Sequence, residues 1–373
     1  MFDRRALRCL LIAVLAATLA APASDAAAKP SRKKAIWGPA MVGGKSQFPI
    51  YRELGAGIYQ YTLSWSNVTS ERPADPRDPK DPAYHWPADL DYVVSQAGRN
   101  GMKVALVVQR TPGWSNGGQA ENVPPTKASD YADFLEAASR RYRSVHLWLV
   151  FGEPIRFPNF LVHFKDARQR ETNGAMSPVQ KADAQGYAVL LDTAYGRLKR
   201  LNRRNLIVGG NTTTNGDFFG PFQWIKNLKL PDGRPPRMDQ FGHNPFGSRA
   251  PDLRKDQIVP GTADFSDLDL LAGWLDRYLH RAGRNRKLPI FISEYTAPTD
   301  VPSFEFPFHV TRATQARWLA AGMRISRRWP RIYTLGWIGL YDAGPRADGA
   351  ESRTGLITRE GRRKPAFYAY KRG

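Results

Sequence analysis

Apolar runs alternate along this chain with stretches whose apolar residues recur every three to four positions, and this alternation limits the fold most. Runs at Ala35–Met41, Gly57–Trp65, Lys103–Gln109, Val145–Phe151, Leu206–Gly210, Asp239–Gly242, Ile290–Ser293 and Ile332–Gly339 read as eight strands. Between them, Tyr131, Phe134, Leu135, Ala138 and Tyr142 share one face of a helix over Asp130–Tyr142. Leu268, Leu271, Trp274, Leu275 and Leu279 do the same over Asp267–Ala282, and a third helix is expected over Thr311–Ile325. Strands followed by helices imply parallel pairing with right-handed crossovers. Eight such units predict an α/β fold, a single (β/α)8 TIM barrel, and 373 residues suit one such domain.

The first residues are expected to leave before folding. Arg4, Arg5 and Arg8 precede an apolar stretch, Cys9 to Ala21, and small residues follow. Residues 1–28 therefore read as a secretory signal, with A-x-A cleavage signatures at Ala21-Pro22-Ala23 and Ala26-Ala27-Ala28, and predict a secreted protein. The stretch is short for a membrane span, and no later transmembrane candidate follows. Residues 29–34 read as a disordered leader and 35–373 as the barrel domain. The one cysteine, Cys9, lies in the signal, which excludes disulfides, thiolate metal sites and cysteine nucleophiles beyond it.

The chemistry enters at "VHLWLVFGEPIRF", Val145 to Phe157, where an apolar run drives into Gly152, Glu153 and Pro154. A carboxylate is costly to bury unless it is paired or used. The run "PIFISEYT" ends the same way at Glu294. Residues at the C-terminal ends of barrel strands share one mouth, and the fourth and seventh strands stand across it from each other. Two carboxylates facing each other suit cleavage of a glycosidic bond, one as acid and the other as nucleophile or base. The competing reading gives each glutamate an arginine partner and no chemistry.

Aromatic residues near the strand ends fit sugar stacking. Trp65, Trp114, Phe246, Tyr295 and Trp337 are the candidate platforms, whereas Trp148 reads as core. His243, in "DQFGHNPF", and Asn211, after the fifth strand, are candidate substrate contacts. The proline-rich segment Glu71–Ala83 reads as a long loop on the mouth face, either bound to ligand or without a role.

At these residues the sequence resembles the clan A glycoside hydrolases, the group that includes families 5 and 39. Gly152-Glu153-Pro154 resembles their Asn-Glu-Pro motif, and Ile292-Ser293-Glu294 their seventh-strand ending. "SWSNV" with "YHWPADLDYVV", "RTPGW", "GHNPF" and "GLITREGRRKPAFYAY" extend the likeness over most of the chain in the same order. The resemblance implies a (β/α)8 enzyme that retains anomeric configuration, with Glu153 as acid/base and Glu294 as nucleophile. It implies carboxyl groups about 5–5.5 Å apart. Two residues depart from the pattern: Gly152 stands where the clan has the asparagine that binds the sugar 2-hydroxyl. Phe246 stands where a tyrosine often donates to the nucleophile, a bond phenylalanine cannot make.

Other chemistries find little footing. "GPAMVGGKS", Gly38 to Ser46, misses phosphate-loop spacing and reads as a loop after the first strand. The six histidines show no zinc spacing, so no metal or cofactor is expected. The formal net charge is +21. Much of it clusters at Arg197–Arg204, His280–Lys287 and Arg324–Arg331, and at Arg140, Arg141 and Arg143. These fall at helix ends, which in a barrel lie behind the mouth, so nucleic acid is not the expected partner. Cations there complement helix dipoles. Their excess suggests contact with an anionic cell envelope. The expected substrate is a β-linked oligo- or polysaccharide. The alternatives are a carbohydrate-binding pseudoenzyme and a basic cell-surface adhesin.

Overall fold

The computed structural model describes residues 29–157, 159–160, 175–217, 219–280 and 287–373. The expected signal, residues 1–28, and most of the His280–Lys287 cluster lie outside the described residues. Eight strands close a parallel barrel: β1 (Ser31–Trp37), β2 (Ala56–Ser64), β3 (Lys103–Gln109), β4 (Leu147–Val150), β5 (Leu206–Thr213), β6 (Gln240–Asn244), β7 (Ile290–Tyr295) and β8 (Ile332–Ile338). Each pairs with its sequence neighbour, and β1 closes the ring on β8 with Ala35 opposite Gly336. The outer layer is α1 (Phe48–Glu53), α2 (Ala88–Arg99), α3 (Ala128–Arg141), α4 (Pro178–Leu201), α5 (Pro221–Asn227), α6 (Leu268–Tyr278), α7 (Arg312–Arg328) and α8 (Pro365–Arg372). The chain is a single (β/α)8 barrel.

The two-residue period of the strands sorts their side chains. Ala35, Ile58, Ala105, Val107, Leu147, Leu149, Val208 and Phe291 point inward and fill the barrel. The alternate residues meet the helices in a larger core that includes Leu106, Trp148, Val150, Phe241 and Ile292. Helix starts follow local chemistry. Ser177 and Gln180 form a reciprocal capping box before α4, with Pro178 in its first turn. Thr311 caps α7, its hydroxyl accepting from the Thr314 N–H at 3.2 Å.

Three expectations change. Strand β1 begins at Ser31, inside the span read as leader. Its lysines hid it: the Lys33 ammonium bonds the Ile332 carbonyl, and that of Lys34 the Lys371 carbonyl at 3.1 Å, so both charges are satisfied as the strand is covered. Gly38–Ser46 is not a plain loop but holds a small hairpin, Met41–Val42 against Lys45–Ser46. Gly43 and Gly44 turn it at φ 54° and 74°, a geometry that favours glycine twice over. Segment Glu71–Ala83 runs down the flank of the barrel instead of over its mouth. Tyr84 and Trp86 donate to its Pro76 and Pro79 carbonyls at 2.7 and 2.9 Å. Asp78–Lys80 thereby reach Arg140 and Arg143, at the C-terminal end of α3.

Candidate active site

Two irregular strand ends aim the two glutamates. Across the β7–β8 ladder, Ile292 pairs with Leu335 and Tyr295 with Trp337, so β7 carries one extra residue between them. This bulge turns both Ser293 and Glu294 from the alternation and brings Glu294 to the mouth. The Ser293 carbonyl then accepts from the Trp37 indole at 2.9 Å and the Gln60 amide at 2.7 Å, which pins the bulge. At the end of β4, Phe151 and Glu153 both take left-handed backbone, φ 56° and 44°. Such geometry in bulky residues persists only where neighbours impose it, and it clusters at functional sites.

The surroundings of the two carboxyls differ. Glu153 accepts from the Asn244 amide at 2.9 Å, and the Arg156 guanidinium lies 3.4 Å from its other oxygen. Asn244 is itself held, its oxygen accepting from the Ser293 hydroxyl at 2.9 Å. A chain of bonds thus links the β4, β6 and β7 corners. Arg156 also approaches Asp217 at 3.4 Å. Glu294 is only partly exposed, and among the described residues no donor bonds its carboxyl. Burial, then the charge of Glu153, then that of Glu305 push it up to about 8, with Arg156 opposing. The charge of Glu153 is thus felt at Glu294 and favours its protonated form.

The other expected contacts divide. Phe246 stays at the rim, partly exposed, its ring 5.1 Å from that of Phe306. Asn211 is buried, with φ 42° and its amide donating to the Phe151 carbonyl at 3.3 Å; it holds the β4 corner from below. Trp65, Tyr295 and Trp337 are not platforms. All three are fully buried on the helix side of the sheet. Trp65 packs on Trp114, Tyr131 and Phe134, while Tyr295 sits between Phe265 and Trp337. Trp114 belongs to the same outer packing, with the Arg72 guanidinium 4.5 Å over its ring, so that face is taken. His243 is buried outside the barrel between Thr212 and the Ala263 carbonyl, each at 2.8 Å, and burial lowers it to about 4. It is a neutral structural histidine, and its neighbour Asn244 is the one that faces the mouth. Trp148 is core, as expected.

Sequence reasoning missed Trp37, Gln109, Arg156 and Asn244. The signal was present for three of them. Trp37, Gln109 and Asn244 each end a strand, and each lies two or four positions from an inward residue or on the parity opposite an outward one.

No family profile and no curated protein sequence matches the chain. Solved structures do match. The fold is shared with glycoside hydrolases of family 39, in clan A. A family 39 glycoside hydrolase from Bacteroides cellulosilyticus aligns with a TM-score of 0.61 at 16% identity, covering 92% of this chain and 63% of that one. A glucosidase from Croceicoccus marinus gives 0.60 at 15%, covering 92% and 66%. A family 39 β-xylosidase from Caulobacter crescentus gives 0.56 at 16%, covering 92% and 72%. The chain thus spans just under two thirds of the length of the first two.

Proposed function

We propose that this protein is a retaining glycoside hydrolase that cleaves β-glycosidic bonds by double displacement. The observation that carries the reading is the hydrogen-bond chain from Glu153 through Asn244 to Ser293, the residue before Glu294, which joins the two corners that carry the carboxyls; the charge of Glu153 accordingly raises the proton affinity of Glu294. The Glu294 carboxylate attacks the anomeric carbon while Glu153 gives a proton to the leaving oxygen. Water, deprotonated by Glu153, then displaces Glu294. In the free protein burial and acidic neighbours favour the protonated form of Glu294, the opposite of what attack needs. A sugar in the cleft reverses this preference, because positive charge growing at the anomeric carbon stabilises the Glu294 anion beside it. The barrel type and its family 39 neighbours support a carbohydrate substrate.

The test is turnover of 4-nitrophenyl β-xyloside and β-glucoside, followed by proton NMR of the first sugar released. Release of the β anomer supports the reading, and release of the α anomer sinks it. A second reading has its own observation: Arg156 sits on Glu153, and no donor among the described residues readies Glu294. A sugar-binding protein with little catalysis would bind both glycosides and release nothing.

Export, and adhesion through the rear face, belong to the same proposal. Arg140 and Arg143 border a groove of about 510 Å³ behind the mouth, beside Lys80. Several cations of the basic clusters are paired, Arg140 with Glu136 at 2.5 Å, Lys199 with Asp239 at 2.9 Å and Arg331 with Asp276 at 2.6 Å. Salt should therefore release the protein from anionic polymers without slowing hydrolysis of a neutral glycoside.

A further inference from the structure

The residue before Glu153 is a glycine, and its backbone does not require one. Its φ lies outside the left-handed region, unlike those of Phe151 and Glu153 on either side. Space is the constraint. A Cβ on Gly152 would lie 3.0 Å from the Gln109 side-chain oxygen and 3.4 Å from Val107 Cγ1. A side chain at 152 would crowd the amide end of Gln109, which would have to give way.

Gln109 occupies that place by strand parity. Ala105 and Val107 point into the barrel, and Gln109 is the next residue on the same face and the last of β3. It therefore forms part of the mouth floor. Its Oε1 accepts the Gly152 N–H at 3.2 Å. That bond and the Asn211 amide on the Phe151 carbonyl, at 3.3 Å, grip the left-handed corner from two sides. An amide carries one oxygen and two N–H donors. The oxygen is committed, whereas among the described residues nothing accepts from Nε2.

We propose that Gln109 is a substrate-contacting residue: its oxygen holds the corner that aims Glu153, and its Nε2 donates to the sugar hydroxyl beside the anomeric carbon. This rests on the glycosidase reading for its ligand. Hydrogen bonds to that hydroxyl tighten in the transition state of glycoside cleavage, so a donor there acts on turnover as well as on binding. The glycine at 152 and the glutamine at 109 fit each other, since the amide reaches the mouth from β3 and crowds the place of one from β4.

The experiment compares 4-nitrophenyl β-glycosides with their 2-deoxy counterparts across four variants, each checked by circular dichroism. Gln109→Ala should lower kcat/KM about 100-fold on the hydroxylated glycoside and much less on the 2-deoxy one. Gln109→Glu keeps an oxygen for Gly152 but removes the donor. It should fold normally and lose the preference for the hydroxyl, which a purely structural role would not do. Gly152→Asn alone should be impaired by collision with Gln109. The double variant Gln109→Ala/Gly152→Asn should recover at least about tenfold over either single change, because the amide returns from the other strand. An unchanged hydroxyl preference in Gln109→Glu, or no recovery in the double variant, overturns the proposal. Calorimetric binding of the same glycosides to Glu294→Gln, with and without Gln109→Glu, reads the contact without turnover. A protein that binds but never cleaves would end the glycosidase reading and still leave the ratio of affinities to decide this one. Absence of any hydroxyl-dependent binding overturns it.

Discussion

The β4 and β7 corners carry the same residue type and treat it in opposite ways. Glu153 is ringed by donors: the Asn244 amide at 2.9 Å and the Arg156 guanidinium at 3.4 Å. Glu294 is set forward by a bulge, has no donor among the described residues, and is pushed up to about 8 by burial and by its acidic neighbours. The difference shows how surroundings alone set two identical side chains apart. Burial and acidic neighbours raise the proton affinity of Glu294, and backbone irregularities at both corners aim the two side chains.

Breaking the β7 side should have the largest effect. Glu294→Gln removes the proposed nucleophile and should lower kcat by at least about 10⁴-fold on any glycoside, measured by release of nitrophenol. Glu153→Gln should be graded instead. Turnover of glycosides with poor leaving groups should fall about 10²–10⁴-fold, while activated aryl glycosides fall less in the first step. A Brønsted plot against leaving-group pKa would expose that contrast.

Stability should distinguish the corners as well. A carboxyl raised in the folded state favours folding fully below its unfolded pKa, and that contribution is lost as pH rises through the folded value. For Glu294 the window runs from about 4.5 to about 8. Wild-type protein should therefore lose thermal stability across it, whereas Glu294→Gln should melt higher than wild type at pH 9 and close to it at pH 4.5. The smallest effect belongs to Arg156. It opposes the upward push on Glu294, so Arg156→Met should move the alkaline limb of kcat/KM upward by a fraction of a pH unit. A downward shift would mean that Arg156 serves only Glu153.

Much of this was legible before any coordinates. Eight apolar runs became eight strands, and the two runs that end in glutamate delivered both carboxyls to one rim. A charge after a buried strand is a strong signal, because so few arrangements tolerate it. The aromatic platforms were less legible. Tyr295 and Trp337 lie at the very strand ends expected to line the mouth, yet both face the helices. Which face a residue takes depends on counting by twos, and one extra residue between Ile292 and Tyr295 reverses the count. The same parity places Asn244 in the mouth and His243 outside it. The basic start of β1 was hidden for another reason: Lys33 and Lys34 read as solvent-seeking, but their ammonium groups reach backbone carbonyls while their stems are covered.

The central claim is that Glu294, not Glu153, forms the bond to sugar. A 2-deoxy-2-fluoro glycoside with a good leaving group slows the second displacement and traps the intermediate. Mass spectrometry of the peptides from inactivated protein should then find the fluorosugar on the peptide containing Glu294, and tandem fragmentation should place it on that residue. A label on Glu153, or steady hydrolysis to the inverted anomer with no adduct at all, would contradict the account.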